Sequence, residues 1–113
     1  MAAEPPFEPP IGPVLSVSAA DVRLPELILA GDIGAEALRD LEEILGAPPL
    51  HTATAWTVDM SQVTRIDLAC AYALLRGATL RPEPAELTIR GPRRAVQRIL
   101  RNAGLDVVAV IEE

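Results

Sequence analysis

The stretch Thr57-Val58-Asp59-Met60-Ser61-Gln62-Val63-Thr64-Arg65-Ile66-Asp67 decides how this chain folds. It starts as an apolar segment of strand-forming residues, which predicts a strand over residues 55–60. Residues 61–66 then form a polar segment that we interpret as a turn. Asp67 is a strong helix N-cap type, because its carboxylate accepts a backbone N–H that has no partner in the first helical turn. The stretch therefore predicts a strand, a turn and a helix that runs from Asp67 to about Leu80.

The segments on either side repeat this alternation of strands and helices. Gly46 and the pair Pro48-Pro49 end a helix before the central stretch, and Pro82 and Pro84 close the unit after it. Strands are predicted over residues 14–18, 23–30, 86–90 and 106–111, and helices over residues 35–45 and 91–104. Because residues 19–21 are a short connection, the first two strands should pair antiparallel. The order β-β-α-β-α-β-α-β predicts an α/β fold with a mixed, mostly parallel sheet of four or five strands, covered by three or four helices.

The length of 113 residues allows one domain, and 50% hydrophobic residues suffice to build its core. Five prolines fall within the first thirteen residues, where they fix φ and remove backbone donors. We therefore expect a flexible Pro-rich tail over residues 1–13 and a single folded domain over residues 14–113.

The composition excludes several classes of function. The net charge is −6, every basic residue is Arg and only 3% of the chain is aromatic, which does not fit a nucleic-acid-binding protein. No apolar run is long enough to enter a membrane, and a single Cys excludes an internal disulfide and a CxxC site, so we expect a cytoplasmic protein. Residues 1–60 carry a net charge of −8 and residues 61–113 a net charge of +2. This asymmetry indicates either ordinary solvated faces or a dipolar surface that orients a partner.

The residues that could take part in catalysis, metal binding or phosphate binding do not form an active site. His51 is the only histidine, so it has no partner for a metal site or a nucleophile–base pair. Gly31-Asp32-Ile33-Gly34 follows a strand and precedes a helix but lacks the spacing of a phosphate-binding loop, so we interpret it as a tight turn. We therefore predict no catalytic residues and no cofactor.

The three aspartates have two possible interpretations, and so does the single thiol. Asp32, Asp59 and Asp67 could converge at the carboxyl ends of the strands and hold Mg²⁺, although caps and turn anchors explain the same positions without a metal. Cys70 falls in the first turn of its helix, where a lowered pKa would make it reactive. A small buried packing residue is the interpretation we favour for Cys70.

The central stretch resembles the STAS family, the domain of anti-sigma factor antagonists and of sulfate-transporter tails. The family pattern is a strand ending in L-D-L-S, a short turn, and then a hydrophobic residue followed by D-S-S-G-L. Val58-Asp59-Met60-Ser61 match the first part and Ile66-Asp67 the second. Weaker similarities flank this stretch at residues 29–33 and 92–105, so the resemblance covers about residues 14–111. It implies a single STAS-like domain that works by binding other proteins.

The departure from the family pattern concerns phosphorylation. In partner-switching members an anti-sigma kinase phosphorylates a serine just after the aspartate, and the added charge disrupts docking. The corresponding residues here are Leu68, Ala69 and Cys70, and Ala69 stands at the phosphoacceptor position. The resemblance therefore implies a degenerate phosphosite at Ala69. Ser61 and Thr64 are the nearest hydroxyls, and we expect Ser61 to cap the turn.

A second branch of the family also fits, the small STAS subunits that bind the ATPase of bacterial lipid-transport ABC systems. Their pattern I-D-L-S-x-V-x-R-V-D is close to the segment that ends in Asp67, although their usual Thr after the aspartate is Leu68 here. The resemblance thus implies a protein partner that is either an anti-sigma kinase-like protein or an ABC-transporter ATPase. A nucleotide- or small-ligand-binding STAS domain is a third alternative, and a homodimer is left open. The partner-binding residues it implies are Asp32, Ser61, Thr64, Asp67, Leu68, Ala69, Cys70 and Tyr72.

Overall fold

The computed structural model describes residues 13–19 and 23–112. Residues 1–12 of the tail predicted over residues 1–13, and residues 20–22 after β1, lie outside the described residues. Five strands form one sheet in the order β1-β2-β3-β4-β5. They are β1 (Val14–Ser18), β2 (Glu26–Ile33), β3 (Ala55–Ile66), β4 (Glu86–Arg90) and β5 (Ala109–Glu112). β1 pairs antiparallel with β2 and every other neighbouring pair is parallel, which confirms the predicted mixed, mostly parallel sheet.

Four α-helices connect the parallel strands. They are α1 (Leu38–Leu45), which follows a 3₁₀ turn over Ala35–Ala37, α2 (Leu68–Thr79), α3 (Arg94–Ala103) and α4 (Leu105–Val108). α2 lies between α1 and α3 and packs against both, and α4 contacts α3 and β5. None of these helices is long and apolar enough to cross a lipid bilayer. The predicted single α/β domain is confirmed.

The core lies between the helices and one face of the sheet. In β4 and in the first halves of β2 and β3 every second side chain is buried, as the two-residue period of a strand requires; beyond Leu29 and Met60 the bulges interrupt this alternation. These residues join the buried faces of the helices in one cluster built almost entirely from Leu, Ile, Val, Ala and the single Trp56. The other face of the sheet carries half-buried and exposed residues such as Ile28, Thr57 and Arg90.

Three predicted strand boundaries are wrong, both ends of β2 and the end of β3. β2 starts at Glu26 and not at residue 23, since Pro25 has no N–H to donate, and it continues through Gly31-Asp32-Ile33, which we had interpreted as a turn. Likewise the predicted turn over residues 61–66 is the second half of β3. β2 and β3 stay paired as far as Ile33 and Ile66 because β3 inserts extra residues at two bulges.

The last predicted strand is also partly wrong. Residues 105–108 form α4, and β5 occupies only Ala109–Glu112. Valine is typical of strands, so Val107 and Val108 predicted one, but the fully buried Leu105 anchors a short helical turn before the chain enters the sheet.

Candidate functional site

The start of α2 is fixed by Asp67, as the sequence predicts. The Asp67 side chain accepts a hydrogen bond from the backbone N–H of Ala69 at 2.9 Å. The Asp67 N–H donates to the carbonyl oxygen of Ile33 at 2.8 Å, which ties the helix to the end of β2. The first turn of α2 is therefore presented at the carboxyl edge of the parallel strands, where α/β proteins place their sites.

The exposed side of this turn is apolar. Leu68 and Tyr72 are four residues apart on the helix, which places them on one face, and they are 38% and 39% exposed. Ala69 lies between them in sequence and is half-buried. Leu68, Ala69 and Tyr72, together with Asp67, are called the α2 surface below.

A charged pair borders the α2 surface. The Arg65 Nε donates to Asp32 Oδ1 at 3.2 Å, across the last rungs of β2 and β3. Asp32 is the main cause of a raised pKa of Arg65, and the charges of Asp67 and Glu36 add to it. Arg65 and Asp32 are thus the contacting pair, and Asp67 and Glu36 act on Arg65 through their charge alone. Arg65 and Glu36 are not among the residues selected from the sequence, because the contact between Arg65 and Asp32 depends on the pairing of β2 with β3 and has no local signal.

Ser61 makes its contacts at a different part of the sheet. Its N–H and its hydroxyl both donate to Asp59 Oδ1, at 2.9 and 2.7 Å. These two hydrogen bonds, and the nearby Arg90, lower the pKa of Asp59. Ser61 therefore stabilises the first bulge of β3 and does not cap a turn. Thr64 is exposed on β3, one residue before Arg65.

Cys70 does not contribute its side chain to this surface. It is fully buried, and its thiol lies 3.4 Å from the carbonyl oxygen of Gly34. Burial, with smaller contributions from Asp67, Glu36 and Glu42, raises the pKa of Cys70 to about 11. The expectation that Cys70 contacts a partner is therefore wrong for its side chain, whereas the predicted packing role is confirmed.

The three aspartates that could have held a metal have separate hydrogen-bond partners. Asp32 pairs with Arg65, Asp59 accepts from Ser61, and Asp67 caps α2. Among residues 13–19 and 23–112 no group of three His, Cys, Asp or Glu side chains is arranged to bind a metal.

A cavity of about 290 Å³ lies at the opposite end of α2, and its lining includes Leu45, His51, Ala73, Leu80 and Arg81. The guanidinium of Arg81 donates to the carbonyl oxygens of Ala53 and Leu50, at 2.8 and 3.4 Å, so it fixes the loop that borders this cavity. The cavity is separate from the α2 surface.

Comparison with solved structures finds the same fold in regulatory proteins. An anti-sigma factor antagonist from Mycobacterium paratuberculosis superimposes with a TM-score of 0.75 at 20% identity, over 94% of this chain and 90% of that chain. The unphosphorylated anti-sigma factor antagonist SpoIIAA gives a TM-score of 0.68 at 12% identity, over 88% of this chain and 89% of that chain. The phosphorylated form of SpoIIAA, a Bacillus cell fate determinant, gives a TM-score of 0.65 at 9% identity, over 88% of this chain and 92% of that chain. No curated protein matches the sequence.

The family relationship follows from the sequence itself. A family model described as "Mlab, STAS domain" matches residues 17–112, which include all of β2 to β5 and the four helices. The solved structures compared above have the same overall fold as this chain. The chain belongs to the STAS domain family.

Proposed function

We propose that this STAS domain is a non-catalytic docking module that binds a protein partner through the α2 surface and is not switched by phosphorylation at position 69. The observation that carries the proposal is the exposed pair Leu68 and Tyr72 on either side of Ala69, directly after the Asp67 cap. This arrangement presents apolar area where partner-switching relatives present a hydroxyl.

The physical argument rests on what a partner would bury there. Exposed apolar side chains gain free energy when they leave water, and an aromatic ring beside an aliphatic one is typical of an interface centre. The Asp32–Arg65 pair at the border supplies polar contacts that favour one orientation of the partner over others. Asp32, Thr64, Asp67, Leu68, Ala69 and Tyr72 are therefore the residues we propose for docking.

The missing hydroxyl makes the proposed docking constitutive at this site. Phosphorylation would add a charge of about −1.5 to −2. Leu68, Ala69 and Cys70 carry no group that accepts a phosphate, and the Cys70 thiol is buried. Any control of binding would then act elsewhere.

Two partner classes follow from the family resemblance. The first is an ATP-binding anti-sigma kinase-like protein. The second is the ATPase of a lipid-transport ABC system, favoured by the segment Ser61-Gln62-Val63-Thr64-Arg65-Ile66-Asp67. The Arg of that pattern corresponds to Arg65, which pairs with Asp32. A cytoplasmic location is part of the proposal, because both proposed classes of partner act in the cytoplasm.

The experiment presents the full chain to purified anti-sigma kinases and ABC ATPase subunits from its own genome and measures binding and phosphate incorporation. We expect binding to one of the two classes, and no phosphate on residues 68–70 after incubation with ATP. Phosphorylation in that turn, or binding to neither class, would contradict the proposal. Calorimetric titration with nucleotides tests the third alternative, and saturable nucleotide binding by the isolated chain would favour it.

A further inference from the structure

Two charged flanks of the helix layer complement each other. α2 separates α1 from α3, so these two helices form opposite flanks of the layer. α3 presents Arg94, Gln97, Arg98 and Arg101 on one face, at the spacing i, i+3, i+4, i+7, around a polar cleft of about 280 Å³. α1 and the edge strand β1 border a groove of about 520 Å³.

The α3 flank carries positive charge that has no counter-ion in the described part of the chain. Arg65, Arg76 and Arg90 each pair with a carboxylate. Arg94, Arg98 and Arg101 are exposed and, within residues 13–19 and 23–112, form no ion pair. No acidic residue occurs between Arg90 and Asp106, so the charge of this flank is not offset along the helix.

The α1 groove has the opposite charge and an apolar floor. Asp40 and Glu43 border it, and its remaining lining comes from Pro13, Val14, Leu15 and Ile44. Neither carboxylate forms an ion pair with the residues that the structure describes. Arginine side chains suit such a groove, because their methylene stems cover apolar surface while the guanidinium groups bind carboxylates, often through two parallel hydrogen bonds.

We propose that the α3 flank of one copy docks into the α1 groove of a second copy, so that the protein self-associates head to tail. Two α3 flanks repel each other because both are positive, and two α1 grooves repel each other because both are negative. The contact between an α3 flank and an α1 groove is therefore the favoured one. Because each copy keeps one free flank after docking, the contact is heterologous and produces an open series of oligomers. The net charge of −6 opposes close approach of whole molecules, so the association is weak and concentration-dependent. The contact uses neither Leu68 nor Tyr72 and does not depend on the proposed function.

Sedimentation velocity of the full chain over a range of concentrations tests this proposal with two neutralising variants. Arg94→Gln with Arg98→Gln neutralises two of the three arginines of the basic flank, and Asp40→Asn with Glu43→Gln neutralises both carboxylates of the acidic flank. We expect the wild type to form a growing series of oligomers and each variant alone to associate about two- to thirtyfold more weakly. An equimolar mixture of the two variants should give a heterodimer that does not grow, because only one complementary contact remains.

The control variant Glu83→Gln with Glu86→Gln changes the net charge as much as the acidic-flank variant but at exposed residues away from both flanks. It should self-associate like the wild type, and circular dichroism should show that every variant is folded. Raising the salt from about 50 mM to about 500 mM should dissociate the wild-type oligomers, because screening then acts within a few ångströms. A wild type that stays monomeric, flank variants that associate like the wild type, or a mixture that stays monomeric would overturn the proposal.

Discussion

At the scale of single residues, Asp67 joins the sheet to the helix that carries the proposed docking residues. Its side chain satisfies the N–H of Ala69, and its own N–H bonds to the carbonyl oxygen of Ile33. The residue type alone predicted this role, because N-capping is a local interaction that depends only on neighbouring backbone. Burial of Cys70 is likewise the interpretation that the sequence favours, but its contact with the Gly34 carbonyl oxygen depends on tertiary packing.

The cap gives a direct stability prediction. Replacing Asp67→Ala leaves the N–H of Ala69 without its acceptor and should lower the free energy of unfolding by about 0.5–2 kcal/mol. Asp67→Asn keeps an acceptor oxygen and should lose much less. Urea unfolding followed by circular dichroism measures both changes. Equal stability of Asp67→Ala and the wild type would show that the cap does not stabilise α2.

Asp59 gives a prediction about pH. Hydrogen bonds from the Ser61 N–H and hydroxyl lower the pKa of Asp59, so the folded state favours the ionised form. A lowered pKa in the folded state stabilises the fold above the ordinary aspartate value of about 3.9, and this contribution is lost as the pH falls through the lowered pKa. Ser61→Ala removes the hydroxyl and should move the pKa of Asp59 upward in an NMR titration of its carboxyl group. An unchanged pKa would mean that the hydroxyl does not hold this carboxylate.

At the scale of elements, the two bulges of β3 explain why the sequence analysis placed a turn at residues 61–66. Ser61 and Gln62 break the apolar alternation, and both are exposed, so the pattern resembles a loop. A parallel partner strand is what keeps the segment extended, and the register of β2 on β3 is a long-range property that local periodicity does not contain. Helices α1, α2 and α3 and strand β4 were predictable because their apolar spacing and their Gly or Pro boundaries are local, whereas α4 was not.

The first bulge also constrains the strand on its other side. Gly91 follows β4 with φ of +70°, and a Cβ at this position would lie 3.0 Å from the Cβ and 3.2 Å from the Cα of Ser61. Gly91→Ala adds both backbone strain and this clash, so it should lower the free energy of unfolding by about 1–3 kcal/mol. Chemical denaturation measures the loss. Ala95→Ser, an exposed change on α3, serves as the control and should stay close to the wild type. A Gly91→Ala protein as stable as the wild type would contradict the close packing of β4 against the bulge.

At the scale of the whole molecule, the domain combines one five-stranded sheet with helices packed against it. The family could be inferred from the sequence because its motif spans a strand end and a helix start that lie next to each other in the chain. The two halves of the chain differ in net charge, and in the fold the acidic flank and the basic flank lie on opposite sides of α2. The sequence could not show this, because it does not contain the order of helices across the sheet.

The central claim is that the α2 surface is where this domain binds its partner, and the two exposed leucines of the α2 region test it most directly. Leu68 lies at the N-terminal end of α2, and Leu80, 75% exposed, follows its C-terminal end. The measurement is the affinity of the identified partner for Leu68→Asp and for Leu80→Asp, each compared with the wild type. Burying an unpaired carboxylate in an interface should weaken binding by Leu68→Asp at least about tenfold, and Leu80→Asp should bind like the wild type. Unchanged affinity of Leu68→Asp, or a loss confined to Leu80→Asp, would contradict the account.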